Sequence, residues 1–169
     1  LIEGESGSIS INGTITVNEL DRTQLLITWD QDTIPTNTNL TSPSGRNNQG
    51  SVDFIIDPGK FNPSTAKTNG LRLLLLGDIN TSSNVGKAGY DGPDAWKNAD
   101  NSDFVAGEND IVEWDGSQWH VVFDACTDDG STTKYITNLN TGVQYRWTGT
   151  EWILSWEGEY QKGTWRLAL

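Results

Sequence analysis

The sequence predicts an all-β protein of short antiparallel hairpins, arranged as a sandwich or small barrel with little or no helix. Three observations carry that expectation. Apolar and polar residues alternate over short runs bounded by Gly, Asn, Asp and Pro. The phrase "EWDGSQW" at 113–119 returns as "RWTGTEW" at 146–152, each with a tryptophan, a glycine two residues on and a second tryptophan. Only 34% of the 169 residues are hydrophobic, yet eight are tryptophan. The core must therefore be filled by large aromatics, each burying about 150–250 Å².

The first element is "SISINGTITV" at 8–17, with Ile9 and Ile11 before Asn12-Gly13 and Ile15 and Val17 after it. Asn-Gly between alternating β-branched runs predicts a two-residue hairpin turn, because both residues tolerate the positive φ it needs. "QLLITW" at 24–29 reads as a third strand. Residues 30–50 are dominated by Asp, Asn, Thr, Ser, Pro and Gly and read as a long loop, of a length often tied to function or mobility. "SVDFIID" at 51–57 alternates, with Val52, Phe54 and Ile56 on one face. "LRLLLLGDI" at 71–79 is short, flanked by glycine, and reads as a buried strand. Residues 80–107 are rich in loop signals; within them "GPDAWKNAD" is compatible with one helical turn that packs Trp96 inward.

From residue 108 the pattern sharpens. A two-residue turn at Asp115-Gly116 would put Val112, Trp114, Trp119, Val121 and Phe123 on one face. The second copy, offset by 33 residues (147 − 114), would likewise align Tyr145, Trp147, Trp152, Leu154 and Trp156. "KYITNLNTG" at 134–142 lies between the copies, and "EYQKGTWRLAL" at 159–169 reads as an abbreviated third hairpin. Cross-strand aromatic pairs contribute about 0.2–1 kcal/mol each. They also set register, since a one-residue slip would turn every tryptophan into water. The repeated phrase reads first as sheet-building grammar, with Trp114, Trp119, Trp147, Trp152 and Trp156 as structural aromatics.

Length suits one domain or two very small ones; the change of texture suggests an N-terminal β region at 1–89 and a Trp-rich hairpin module at 90–169. The 23 acidic and 11 basic residues give a net charge of −12. That balance argues against a nucleic-acid partner and against an anionic membrane surface. No run approaches the roughly 18 apolar residues of a membrane span, and no signal-peptide pattern opens the chain. Cys126 is the single cysteine, so no intrachain disulfide forms. With no methionine at all, the chain reads as a piece or processed product of something larger.

The run from "AWKNADNSDFVAGENDIVEWDGSQWHVVFD" through "TNLNTGVQYRWTGTEWILSWEGEYQKGTWRLAL" resembles the aromatic-hairpin modules of virion structural proteins from large contractile-tailed bacteriophages. The resemblance covers about residues 90–169 and does not extend to 1–89. It implies a tail, baseplate or fibre component acting in assembly or host attachment. Its partners would be other virion proteins or copies of itself, and its location the virion, assembled in the host cytoplasm. It carries over no catalytic residues and implies no cofactor.

The competing expectation is a carbohydrate-binding module, extracellular in that case, that stacks a host surface glycan on exposed tryptophan. Trp96, in a loop, and Trp165, on the last strand, break the paired pattern and are its candidate ligand-binding residues. An enzyme is not expected. No nucleophile elbow or phosphate loop is present, and one Cys and one His do not make a zinc site. A thiol pair of Cys126 with His120 would be separated by six positions, and Cys126 reads as a small structural residue. Glu157, Glu159, Asp124, Asp128 and Asp129 are the carboxylates to weigh for a glycosidase pair. Neither "DACTDDGST" nor "DQDT" has EF-hand spacing, so these acids read as solvated turns and no metal is expected.

Overall fold

The computed structural model describes residues 13–29, 35–61, 63, 67–79, 96–97, 100 and 102–155. The protein is all-β: ten strands form three sheets, and no α-helix occurs among the described residues. β1 (Gly13–Val17) and β2 (Leu25–Trp29) make an antiparallel two-stranded ribbon. One four-stranded sheet holds, in order, β10 (Trp152–Leu154), β9 (Val143–Trp147), β8 (Tyr135–Asn138) and β3 (Ser51–Val52). The other holds β4 (Phe54–Ile56), β5 (Arg72–Leu75), β6 (Ile111–Trp114) and β7 (Trp119–Phe123).

The antiparallel expectation holds for the hairpins but not throughout. β3 pairs parallel with β8, and β4 pairs parallel with β5. Both parallel pairs come from one extended stretch that breaks at Asp53 and sends its halves into different sheets. Asp53 is the reason: its N–H donates to the Arg72 carbonyl and its Oδ2 accepts the Arg72 N–H. Those bonds tie it to the start of β5 while Ser51 and Val52 register on β8. The expected common face of Val52, Phe54 and Ile56 is therefore split. Val52 and Ile56 are buried in separate clusters, and Phe54 is 43% exposed. The sheets also run across residue 89, since β3 joins β8 and β5 joins β6.

Two aromatic-aliphatic clusters follow from strand parity. Leu73, Leu75, Val112 and Trp119 point to one face of the β4–β7 sheet, where Ile79, Trp96 and Phe104 from the following loops cover them. Leu74, Ile111 and Phe123 point to the other face, against Val52, Ile136 and Trp147 of the second sheet and Leu40 of the long loop. The two four-stranded sheets thus pack face to face over the second cluster.

Phe123 departs from the expected pattern for a local reason. The β6–β7 pairing runs Trp114↔Trp119 and Val112↔Val121, then shifts so that Ile111 meets Phe123. That β-bulge adds one residue to β7 and rotates everything beyond it by one pleat. Phe123 consequently leaves the face of Trp119 and enters the inter-sheet cluster. The turn is also longer than two residues, spanning 115–118 with the Asp115 N–H donating to the Gln118 carbonyl.

At the N-terminus, the turn expected at Asn12-Gly13 falls on residues that begin outside the described ones, and the described ribbon joins 13–17 to the expected strand at 24–29. Gly13 is the first residue of β1 and pairs with Trp29, and the reversal occurs across 18–24. Asn18 and Asp21 organise that reversal by accepting the Leu20 and Thr23 N–H groups, an Asx-type alternative to a two-residue loop. The candidate strand at 8–11 and the third hairpin at 159–169 lie outside the described residues, as does most of the helical-turn candidate at 92–100.

Both phrase glycines sit at positive φ, +100° for Gly116 and +96° for Gly149, as a tight turn requires. Their surroundings differ. A Cβ on Gly149 would lie 2.6 Å from the Asp129 carbonyl oxygen, because the loop after β7 crosses this turn backbone to backbone. A Cβ on Gly116 would meet only the Asn69 side chain, at 3.6 Å. Gly116→Ala should therefore cost only the left-handed strain, about 1–2 kcal/mol. Gly149→Ala should add a backbone clash and cost about 3 kcal/mol or more. Urea midpoints of the two variants check this, and equal losses would show that the loop crossing yields freely.

Candidate functional site

The aromatic residues singled out from sequence divide cleanly. Trp114 and Trp119 face each other across the first hairpin with ring centroids 5.4 Å apart. Trp147 and Trp152 do the same across the second, also at 5.4 Å. Phe123 completes the second set, edge-on to both rings. Trp147 Nε1 donates to the Asp128 carbonyl and Trp152 Nε1 to the Asn109 carbonyl, so the rings also anchor loops. Trp156 and Trp165 lie outside the described residues.

Trp96 corrects the expectation of an exposed platform: it is 0% exposed, with its ring centroid 4.7 Å from that of Trp119. The loop position was misleading because the loop itself is the lid of the first cluster. The isolated bridge Lys97↔Asp103 ties the two described parts of that segment together, and Ile79↔Ala106 ties it to the chain just beyond β5.

The polar centre of the molecule was not anticipated. Arg72 and Glu113 lie opposite each other in β5 and β6, and both side chains are fully buried. The Arg72 guanidinium donates through Nε and Nη2 to Glu113 Oε2, and onward to the Thr41 and Gln49 carbonyls. Glu113 Oε1 accepts the Ser42 hydroxyl and the Ser44 N–H. Burial alone would raise the Glu113 pKa; bonds from Ser44 and the pairing with Arg72 outweigh it, and the carboxylate is held below its ordinary range. This network pins the long polar loop to the sheet. A sequence signal existed: one Arg inside "LRLLLL" and one Glu inside "IVEW", each surrounded by apolar residues.

Beside this network, where the chain switches sheets, a groove of about 590 Å³ opens at the surface. β4 supplies Phe54, the 67–71 loop supplies Thr68 and Asn69, and the turn after β8 supplies Leu139 and Asn140. Arg46 and Asp53 lie in its wall and close on each other at 2.8 Å. The walls are tied down, with the Gly70 N–H donating to the Trp114 carbonyl and the Leu139 N–H to the Val52 carbonyl. Lys67 lies just outside, 4.3 Å from the Trp114 ring centroid, and its burial lowers the ammonium pKa.

A second groove, of about 660 Å³, is acidic, with Asp78, Glu108, Asp110 and Asp124 beside Cys126. Burial pushes the Asp110 carboxyl up, and the charges of Asp124 and Asp78 push the same way. A raised carboxylate in a groove is what an acid catalyst needs. Here both Asp110 oxygens accept backbone N–H groups, from Gly107 and Ala125. Asp110 thus staples the chain entering the first hairpin to the chain leaving it.

The remaining sequence candidates are turn caps. Asp124, Asp128 and Asp129 accept the Cys126, Gly130 and Ser131 N–H groups. His120 Nε2 meets Asp115 Oδ2 at 2.7 Å across the first hairpin turn, and Cys126 is exposed in the next loop. Asp115 is held well below the usual carboxylate range by the Gln118 N–H, by His120 and by the Ser117 N–H. Among the described residues no three His, Cys, Asp or Glu side chains are grouped to hold a metal ion. Glu157 and Glu159 lie outside them. Compared with protein-family models, curated proteins and solved structures, the chain matches none.

Proposed function

We propose that this chain is a non-enzymatic structural module of a bacteriophage virion, a tail, baseplate or fibre component that assembles with copies of itself through the β1–β2 ribbon. The observation that carries this reading is the distribution of apolar surface. Every described tryptophan side chain is packed in one of the two clusters. The ribbon, in contrast, leaves Ile15 64%, Val17 54% and Leu26 54% exposed.

The ribbon's ten residues, GTITV and LLITW, include no charge, in a chain of 34 charged residues (23 + 11). Exposed strand edges are ordinarily protected by charge, proline or bulges. A two-stranded ribbon is also marginal alone and gains by adding strands. A second copy suits it best: two such edges meet without bringing like charges together, although each chain carries −12, and a two-fold contact matches like with like. The virion assignment itself is supported by the resemblance of residues 90–169.

Sedimentation velocity over a concentration series tests the assembly. The chain should self-associate, and Ile15→Lys with Ile27→Glu should abolish association while the near-ultraviolet spectrum of the packed tryptophans is unchanged. A monomer at every concentration overturns self-assembly. Peptides of this chain at tail-protein stoichiometry are expected in purified particles by mass spectrometry, and their absence overturns the virion placement.

A further inference from the structure

We propose that the groove at Phe54 is a binding site for a neutral, hydroxyl-rich ligand, a saccharide chain. The tryptophans are not its platform; Phe54 is. Three features define the ligand chemistry. First, the groove presents two apolar side chains to solvent, Phe54 at 43% and Leu139 at 47%, enough for one face of a sugar ring. Second, the side-chain amides of Asn48, Asn69 and Asn140, which line it, have no hydrogen-bond partner among the described residues. Each offers donors and an acceptor together, the complement of vicinal hydroxyls, which also donate and accept. The Thr68 hydroxyl adds a fourth such group.

Third, the ionic groups present are already satisfied. Arg46 donates through Nη1 to Asp53 Oδ2 and the Gly70 carbonyl, through Nη2 to Ser51 Oγ, and through Nε to the Asn48 carbonyl. The two ionic side chains that line it, Arg46 and Asp53, are spent on each other rather than left to select a phosphate, a carboxylate or an ammonium group, and the neighbouring Lys67 ammonium lies over the Trp114 ring. The volume of about 590 Å³ falls in the ordinary range for small-ligand sites, about 300–1,000 Å³. Its framework is rigid, because Asp53 and Arg46 belong to the network that holds Arg72 and Glu113.

The groove shares no residue with the β1–β2 ribbon, so this inference and the assembly reading stand or fall separately. The test is a titration of the isotope-labelled chain, followed by side-chain amide resonances, with neutral tetrasaccharides of glucose (α- and β-linked), mannose and N-acetylglucosamine. At least one should move the Asn48, Asn69 and Asn140 amide signals with a dissociation constant of about 1 mM. Phe54→Ala, and separately Asn69→Ala with Asn140→Ala, should weaken it about tenfold. The amide pair has no partners to lose among the described residues, so its variant is expected to keep the fold and its backbone spectrum. No movement with any sugar up to about 20 mM overturns the proposal. So does wild-type affinity in the amide variant, or movement of the same signals by an uncharged extended peptide and by no sugar.

Discussion

Replacing Arg72 with methionine is expected to lower the unfolding free energy by about 3–5 kcal/mol, the cost of leaving a buried carboxylate without its partner. Glu113 would remain at 0% exposure with only Ser42 and Ser44 to hold its charge. The loss should appear as a lower urea midpoint at unchanged slope, since the surface exposed on unfolding stays the same. Adding Glu113→Leu should make the double variant less damaged than the two single losses summed, because a pair in contact is not additive. Recovery should be partial: without the pair, the Ser44 N–H and the Thr41 and Gln49 carbonyls lose partners. A cost under about 1 kcal/mol for Arg72→Met, the size of an exposed pair, would mean that water reaches Glu113.

Trp96→Ala should cost a comparable amount, about 3–5 kcal/mol, through the cavity it leaves. The side chain is fully buried among Leu73, Leu75, Phe104 and Trp119, and it joins the 102–106 segment to the sheet. Its carbonyl accepts the Phe104 N–H, a bond the substitution leaves in place, so the loss is one of packing. Trp96→Phe should recover a large part of it by refilling the space. Trp119 would then become accessible, and acrylamide quenching should rise in Trp96→Ala relative to the parent chain. A stable Trp96→Ala variant with unchanged quenching would show that the lid is not closed by this ring.

Neither the Arg72–Glu113 pair nor the burial of Trp96 was as legible in the sequence as the hairpin tryptophans. Trp119, Trp147 and their partners could be placed from sequence because a turn glycine and period-two alternation act over a few residues. Trp114↔Trp119 and Trp147↔Trp152 are cross-strand neighbours as that grammar requires. Trp96 had two readings, packed inward or exposed as a platform, because its burial depends on contacts with Trp119 and Phe104 that have no local signature. The Phe54 groove was illegible for the same reason. Its walls come from β4, the 67–71 loop and the turn after β8, which meet only through parallel pairings of high sequence separation.

The all-β class, the two tryptophan hairpins and the acidic turns follow from local rules, because alternation, turn glycines and Asx caps are all short-range. Tertiary structure alone decided that the 51–56 stretch divides between two sheets and that Arg72 meets Glu113. It alone turned Phe123 into the inter-sheet core through a bulge. These outcomes rest on register between strands far apart in the chain, where one hydrogen bond at Asp53 or one extra residue in β7 reassigns every side chain beyond it to the opposite face.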